Sequence, residues 1–181
     1  MRLRFLALPL AFAAVPALAA LSPGAKAPDF TTRGAIDGQV FKLTLSQQLK
    51  KGPVVLYFFP AAYTGGCNQE AHDFSEAVPQ FQAAGATVIG MSTDTVERLT
   101  KFSKEKCAGK FAVASAGPRV VKAYDVDLGR MVPDVETKQL RAVTNRTSYV
   151  IARDGTIRYV HSDLNAADHV RLTLEAVRAL K

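Results

Sequence analysis

The stretch Pro53–Phe74 constrains the fold more than any other part of the chain. It opens with a continuous apolar run, Val54–Phe59. A β-branched and aromatic run without polar alternation is typical of a strand that is covered on both faces, as in a parallel sheet. Pro60 ends the strand, because its ring removes a backbone donor and restricts φ. Apolar residues then recur at helical spacing, so the stretch predicts a strand, a turn and a helix.

Cys67 is predicted in the first turn of this helix, where the chain leaves a central strand. Reacting groups in open α/β sheets collect at such places. Free backbone N–H groups and the helix dipole favour an anion there, and the thiolate is the nucleophilic form of cysteine. A cysteine without this context is more often a small buried hydrophobe. The strand, Pro60 and the turn favour a reactive thiol.

Pro60, Thr64 and Cys67 form the pattern P-x-x-x-T-x-x-C. This pattern resembles the active-site motif of the peroxiredoxins, which are thiol peroxidases with a thioredoxin-like fold. The resemblance implies that Cys67 is the peroxidatic cysteine, that Thr64 hydrogen-bonds the bound peroxide and that Pro60 shields the sulfur. Glu70 occupies a position that is often acidic in that family. The surrounding residues are most similar to the bacterioferritin-comigratory, or peroxiredoxin Q, branch.

Arg146 stands at the head of a predicted strand that ends before the turn Asp154–Gly155. The resemblance implies that Arg146 is the active-site arginine, because peroxiredoxins carry it at the equivalent point. A guanidinium is permanently charged and holds its donors in a fixed fork. It can stabilise a thiolate and the negative charge that builds up on the departing oxygen. An arbitrary arginine at a strand end is more often a surface residue, so this assignment depends on the matched motif.

Cys107 is the only other cysteine. Two cysteines in an exported protein commonly form a permanent structural disulfide. The resemblance implies another role, that of the resolving thiol. Many members of the branch place that thiol five residues after the peroxidatic one, where this chain has His72. A subset places it in the next helix, where Cys107 falls. Because a structural bond would disable Cys67, we favour the resolving role and expect the reduced protein to hold the two sulfurs too far apart to bond.

The whole chain predicts an α/β fold: a thioredoxin-like sandwich with a central mixed β-sheet flanked by helices and an N-terminal β-hairpin that turns at Asp37–Gly38. Further strands are predicted at 87–92, 111–114, 147–152 and 156–161, and a helix follows Thr95. The segment 125–145 is predicted to be a surface connection with short strands at 129–132 and near Leu140. An apolar stripe predicts a C-terminal helix that covers one sheet face: Ala167, Val170, Leu174 and Val177.

Residues 1–19 are interpreted as a signal peptide, because a basic start, an apolar stretch and Ala17-Leu18-Ala19 follow one another. The alternative is an uncleaved N-terminal anchor. The apolar part is short for a membrane span. We therefore expect an exported, periplasmic protein of bacterial origin without stable membrane association, with residues 20–181 as a single thioredoxin-like domain.

The formal net charge is +7, and removal of Arg2 and Arg4 with the signal peptide leaves +5. The basic residues are scattered without interleaved aromatics, so nucleic-acid binding is not expected. The three histidines are His72, His161 and His169. Their spacing from the cysteines is not that of zinc ligands, and they are interpreted as surface or boundary residues. We expect no metal and no organic cofactor.

The predicted reaction is the reduction of hydrogen peroxide or small organic hydroperoxides. Cys67 becomes a sulfenic acid, Cys107 condenses with it to an intramolecular disulfide, and a thioredoxin-like dithiol protein reduces that bond. The protein is expected to be a monomer. One alternative is a thioredoxin-like disulfide oxidoreductase, which would need a C-x-x-C pair where this chain has Glu70. Another is a non-catalytic thioredoxin-like module with a structural Cys67–Cys107 bond.

Overall fold

The computed structural model describes residues 20–180, so the predicted signal peptide, residues 1–19, lies outside the described residues. The strands of the described part are β1 (Thr31–Ile36), β2 (Gln39–Thr44), β3 (Val54–Phe58), β4 (Thr87–Ser92), β5 (Ala112–Ser115), β6 (Asp127–Pro133), β7 (Leu140–Thr144), β8 (Thr147–Ile151) and β9 (Ile157–Ser162). Its helices are α1 (Leu45–Leu49), α2 (Gly65–Ala83), α3 (Val96–Glu105), α4 (Pro118–Ala123) and α5 (His169–Arg178).

The central sheet is mixed, as the sequence predicts, with the spatial order β2-β1-β5-β4-β3-β8-β9. The pairs β3–β4 and β4–β5 are parallel, and the other neighbours are antiparallel. Antiparallel pairing of β3 with β8 sets Phe58, the last residue of β3, opposite Thr147, the first residue of β8. The start of α2 and the residue that precedes β8 therefore meet at one edge of the sheet.

Both faces of β3 are buried, and its side chains alternate between two apolar clusters, as successive residues of a strand must. Val55 and Tyr57 pack in the cluster that includes the buried faces of α2, α3 and α5. Val54, Leu56 and Phe58 pack in the second cluster with α1 and the residues that follow α4. This burial on both sides explains why the strand reads as an uninterrupted apolar run.

The smaller predicted features are also present. Asp37 and Gly38 have φ values of 47° and 74°, which is the left-handed pair that a two-residue type I′ hairpin turn requires. Within the segment predicted as a surface connection, β6 and β7 form a separate two-stranded sheet. The C-terminal helix is present as α5, although it begins at His169 and leaves Ala167 outside.

Candidate active site

Cys67 lies in the first turn of α2, as predicted, with Thr64 as the residue that precedes the helix. The turn from β3 is anchored to the neighbouring strand, since the backbone N–H of Phe59 donates to the carbonyl of Met91 at 2.9 Å. Cys67 is 2% exposed, whereas Gly65 and Gly66 beside it are exposed. Cys67 is therefore buried although it directly follows two exposed residues that have no side chains.

Thr64 and Pro60, the other two residues of the predicted motif, are half-buried in the turn. The hydroxyl of Thr64 donates to the carbonyl of Ala61 at 2.9 Å. A hydroxyl that donates its one proton keeps its lone pairs as acceptors. Thr64 can therefore accept a hydrogen bond from a peroxide O–H above Cys67.

Arg146 is 5% exposed, and its guanidinium joins the predicted site residues. Its Nη2 donates to Cys67 Sγ at 3.5 Å, its Nη1 donates to Glu70 Oε2, and its Nε donates to the carbonyl of Leu164 at 2.9 Å. Burial by itself would lower the pKa of Arg146, but the attraction of Glu70 and Cys67 outweighs it and the net shift is upward. The guanidinium beside the sulfur is therefore a fixed positive charge.

Glu70 is fully buried, one turn of helix after Cys67. Burial raises the pKa of its carboxyl to about 8, although Arg146 acts in the opposite direction. The second oxygen, Oε1, has no hydrogen-bond partner among residues 20–180. A carboxyl with this environment changes its charge near neutral pH.

His169 is fully buried, so its interpretation as a surface or boundary residue is wrong. Its Nδ1 lies 2.7 Å from Ser148 Oγ and 3.8 Å from Glu70 Oε1, and its Nε2 lies 2.9 Å from the carbonyl of Asp163. The sequence offers a signal for this burial, because His169, Thr173, Leu174 and Val177 recur at helical spacing. The stripe predicted on apolar residues alone missed the polar part of that face.

Burial lowers the pKa of His169 from 6.5 to about 4. The unfolded chain then binds a proton below about pH 6.5, whereas the folded protein does so only below about pH 4. Stability is therefore expected to fall as the pH is lowered from 6.5 to 4, by about 3 kcal/mol at pH 4. Urea unfolding at pH 7 and pH 4 measures this loss. His169→Asn should lose correspondingly less than the wild type, and His72→Asn, at an exposed position, should behave as the wild type. An equal loss in all three proteins would contradict this prediction.

Cys107 is fully buried and lies just beyond the end of α3. Its backbone N–H donates to the carbonyl of Phe102 at 3.2 Å, and burial raises the pKa of its thiol. Cys67 and Cys107 belong to the same apolar cluster, but both thiols are free and are not at disulfide distance. The prediction that the fold keeps the two sulfurs apart is confirmed.

Tyr63 connects the turn before Cys67 with the helix end before Cys107. Its hydroxyl donates to Glu105 Oε2 at 3.0 Å, and its ring packs edge-on against Phe102 with centroids 5.4 Å apart. Burial and the hydrogen bond to Glu105 raise the pKa of Tyr63 to about 12, so the hydroxyl remains a donor. Its φ of 69° lies in the left-handed region, which a bulky residue adopts only where its surroundings hold it there.

Asp94 and Arg98 hold the backbone of the same turn, and each is supported by a further ion pair. Asp94 accepts the backbone N–H of Ala62 at 2.7 Å and pairs with Arg141 at 2.7 Å. Arg98 donates to the carbonyl of Ala62 at 3.3 Å and pairs with Asp134 at 2.9 Å. Because the N–H and the carbonyl of Ala62 are both hydrogen-bonded to side chains, the backbone of the turn is held on both sides of this residue.

Within residues 20–180, no group of three or more His, Cys, Asp or Glu side chains is arranged to hold a metal ion. In the same range, no helix combines the length and the apolar character that a membrane crossing requires.

The family model described as the AhpC/TSA family matches residues 23–160. A chloroplastic peroxiredoxin Q of Oryza sativa is 31% identical over 163 residues, which cover 88% of this chain and 68% of the rice protein. A putative peroxiredoxin of Mycobacterium tuberculosis is 30% identical over 141 residues, which cover 76% of this chain and 85% of that protein.

The solved structures that resemble this chain include peroxiredoxins as well. The crystal structure of peroxidoxin BcpB from Mycobacterium tuberculosis has a TM-score of 0.74 at 31% identity and covers 88% of this chain and 97% of its own. Peroxiredoxin Q of Xanthomonas campestris has a TM-score of 0.65 at 25% identity, and the match covers 81% of this chain and 89% of that one. The thioredoxin-like α/β fold predicted from the sequence is confirmed.

Proposed function

We propose that this chain, which belongs to the AhpC/TSA family, reduces hydrogen peroxide and small organic hydroperoxides through the thiolate of Cys67. Membership in this family makes the chain a thiol-dependent peroxidase. The observation that carries the assignment to Cys67 is the contact of 3.5 Å between its sulfur and Arg146 Nη2. Cys107, by contrast, has no charged group within hydrogen-bond distance among the described residues and lies wholly in the apolar core.

In the first step, the Cys67 thiolate attacks the nearer peroxide oxygen. An S–O bond forms, the O–O bond breaks, and the departing hydroxide or alkoxide takes up a proton to leave as water or alcohol. Thr64 accepts the hydrogen bond of the peroxide, and Arg146 stabilises the negative charge as it moves to the departing oxygen. The product is a sulfenic acid at Cys67.

In the second step, Cys107 attacks the sulfenic acid, so that an S–S bond forms and water leaves. The thiolate is the attacking form, but burial raises the pKa of Cys107 and keeps it protonated in the reduced fold. Cys107 must therefore leave its buried position both to ionise and to reach Cys67. A dithiol protein of the thioredoxin kind then reduces the disulfide.

Local opening at the two helix ends supplies this movement. Cys107 lies beyond the last turn of α3, and Cys67 lies in the first turn of α2. Helix ends open at a far smaller cost in free energy than the whole fold. The hydrogen bond between Tyr63 and Glu105 joins the two ends, so we expect it to break before the thiols meet.

Tyr63→Phe is expected to speed disulfide formation after peroxide addition by about fivefold, because it removes one hydrogen bond of about 1 kcal/mol that holds the closed state. Rapid quenching with an alkylating reagent, followed by mass spectrometry, measures the rate. Glu105→Ala removes the same bond from the other side and should produce a similar change. The double variant should add little to either single change. A rate that is unchanged or lower in both single variants would show that this bond does not control the opening.

We further propose export to the periplasm, cleavage after Ala19, a single domain over residues 20–181 and a monomeric state. The support for export is the order of basic, apolar and small residues in 1–19. N-terminal sequencing of protein from fractionated cells tests it, with Ala20 as the expected first residue. Sedimentation of the reduced protein tests the monomeric state.

The direct test of the function is peroxide consumption by the purified, reduced protein with thioredoxin-type dithiol donors. We expect catalytic turnover with hydrogen peroxide and with a small alkyl hydroperoxide. Turnover should stop when the donor is exhausted. Failure to consume any peroxide, in one turnover or many, would overturn the proposal.

A further inference from the structure

A buried polar chain leads away from the reactive sulfur into the fold. From Cys67 it passes through Arg146 to Glu70, whose free oxygen Oε1 lies 3.8 Å from His169 Nδ1. Ser148 lies 2.7 Å from the same nitrogen. Each of these side chains is at most 5% exposed. The peroxidase step proposed above uses Cys67 and Arg146 and leaves Glu70 and His169 without a role.

The contacts of His169 define which of its nitrogens carries the proton. Its Nε2 lies 2.9 Å from the carbonyl of Asp163, and a carbonyl oxygen can only accept a hydrogen bond. Nε2 must therefore carry the hydrogen. In the neutral ring Nδ1 is then an acceptor, and Ser148 donates to it. The lowered pKa of His169, about 4, agrees with a neutral ring at pH 7.

The acceptor at Nδ1 faces the free oxygen of Glu70. If Glu70 is ionised, both facing atoms are acceptors and no hydrogen stands between them. If Glu70 is protonated at Oε1, this repulsion is removed without a direct bond, because the two atoms are 3.8 Å apart and Ser148 already donates to the ring lone pair, while Oε2 still accepts from Arg146. Neutral His169 therefore favours the protonated form of Glu70, in the same direction as its burial.

The charge on Glu70 decides how much of the positive charge of Arg146 acts on the sulfur. A Glu70 carboxylate would neutralise the guanidinium through its other terminal nitrogen, Nη1, whereas a protonated Glu70 leaves the positive charge available to the thiolate. A change at His169 therefore affects Cys67 through Glu70 and Arg146, without direct contact between His169 and Cys67.

We propose that His169 is a positioning residue of the peroxidase site, whose unprotonated Nδ1 keeps Glu70 protonated and so directs the charge of Arg146 to the Cys67 sulfur. The inference rests on the proposed function for its effect on the rate, but not for the protonation states. Other titratable groups that act on this pair come from five parts of the chain: Tyr57 of β3, Asp73 of α2, His161 of β9, Asp163 after β9 and Asp168 before α5.

Nuclear magnetic resonance of the reduced wild-type protein tests the protonation states. Nitrogen shifts of His169 are expected to show hydrogen on Nε2 and none on Nδ1 at pH 7. The carboxyl carbon of Glu70 is expected to show the protonated form at pH 6 and to titrate near pH 8. Hydrogen on Nδ1 at pH 7, or an ionised Glu70 at pH 6, overturns the inference whether or not the protein reduces peroxide.

Two variants separate the acceptor role of Nδ1 from the hydrogen bond between Nε2 and the carbonyl of Asp163. Asparagine places its amide oxygen about where Nδ1 lies, so His169→Asn keeps an acceptor towards Ser148 and Glu70. Glutamine places its amide nitrogen about where Nε2 lies, so His169→Gln keeps the bond to Asp163 and loses the acceptor. His72→Gln, at an exposed position of α2, is the matched control for the substitution itself.

The rate of peroxide reduction is measured against pH for all four proteins in a single turnover. In His169→Gln, the pH of half-maximal rate should rise by about half a unit, which corresponds to an approximately threefold lower rate on the acid side. His169→Asn should show a smaller shift, and His72→Gln should overlie the wild type. A shift in His169→Asn that equals or exceeds the one in His169→Gln would assign His169 a structural role only. If the wild-type protein did not reduce peroxide, the proposed function would be refuted. The nuclear magnetic resonance measurement would then decide the protonation states on its own.

Discussion

Cys67→Ser is expected to abolish peroxide reduction, with a loss of about five orders of magnitude or more in kcat/KM. A loss of this size is typical when the nucleophile of an enzyme is removed. A serine hydroxyl at the same place is not ionised and attacks the O–O bond poorly. No second thiol can replace it, because Cys107 is fully buried and burial raises the pKa of that thiol. Peroxide consumption in single-turnover and steady-state assays measures the loss.

Cys107→Ser is the matched control, since it removes the other cysteine and leaves the contacts of Cys67 with Arg146 in place. It should reduce one equivalent of peroxide at a rate close to that of the wild type. It should then fail to form the intramolecular disulfide. If Cys107→Ser lost the first turnover while Cys67→Ser kept it, the two roles would be reversed.

Arg146→Ala is expected to slow the reaction with peroxide by about 10²–10³-fold, the range found when one preorganised donor to a developing negative charge is removed. The guanidinium contacts Cys67, Glu70 and the carbonyl of Leu164 at the same time. A lysine ammonium is a point charge without that planar fork. Arg146→Lys should therefore recover only a small part of the rate.

Arg171→Ala provides the control for loss of a positive charge, because Arg171 lies on the exposed face of α5 and pairs with Asp168 and Glu175. Its rate with peroxide should match that of the wild type. Circular dichroism should show that all three arginine variants are folded. A folded Arg146→Ala protein with a rate within about threefold of the wild-type rate would show that the charge of Arg146 contributes little to the reaction with peroxide.

The strand–turn–helix unit was predictable because local rules and the global fold agree there. The apolar run of β3 is buried on both faces, Pro60 follows it, and Cys67 falls in the first turn of α2. Arg146 was predictable only through the resemblance. The reason for its position is the antiparallel pairing of β3 with β8, which brings Phe58 opposite Thr147 and which sequence spacing does not reveal.

The burial of His169 was not predicted, because the helical stripe was drawn through apolar residues and a histidine between them reads as polar surface. Its burial depends on partners from two other segments, Ser148 in β8 and Asp163 after β9. The contact between Tyr63 and Glu105 likewise joins residues 42 positions apart. Such contacts depend on how the elements pack, and neither periodicity nor a short motif encodes that packing.

The role of Cys67 is tested most directly by mass spectrometry of the reduced protein after one equivalent of hydrogen peroxide. The wild type is predicted to lose two hydrogens and to yield a peptide pair joined by a bond between Cys67 and Cys107. Cys107→Ser is predicted to gain one oxygen, located at Cys67. An oxygen on Cys107, or a Cys67 that remains unmodified while peroxide is consumed, would contradict the assignment of Cys67 as the residue that attacks the peroxide.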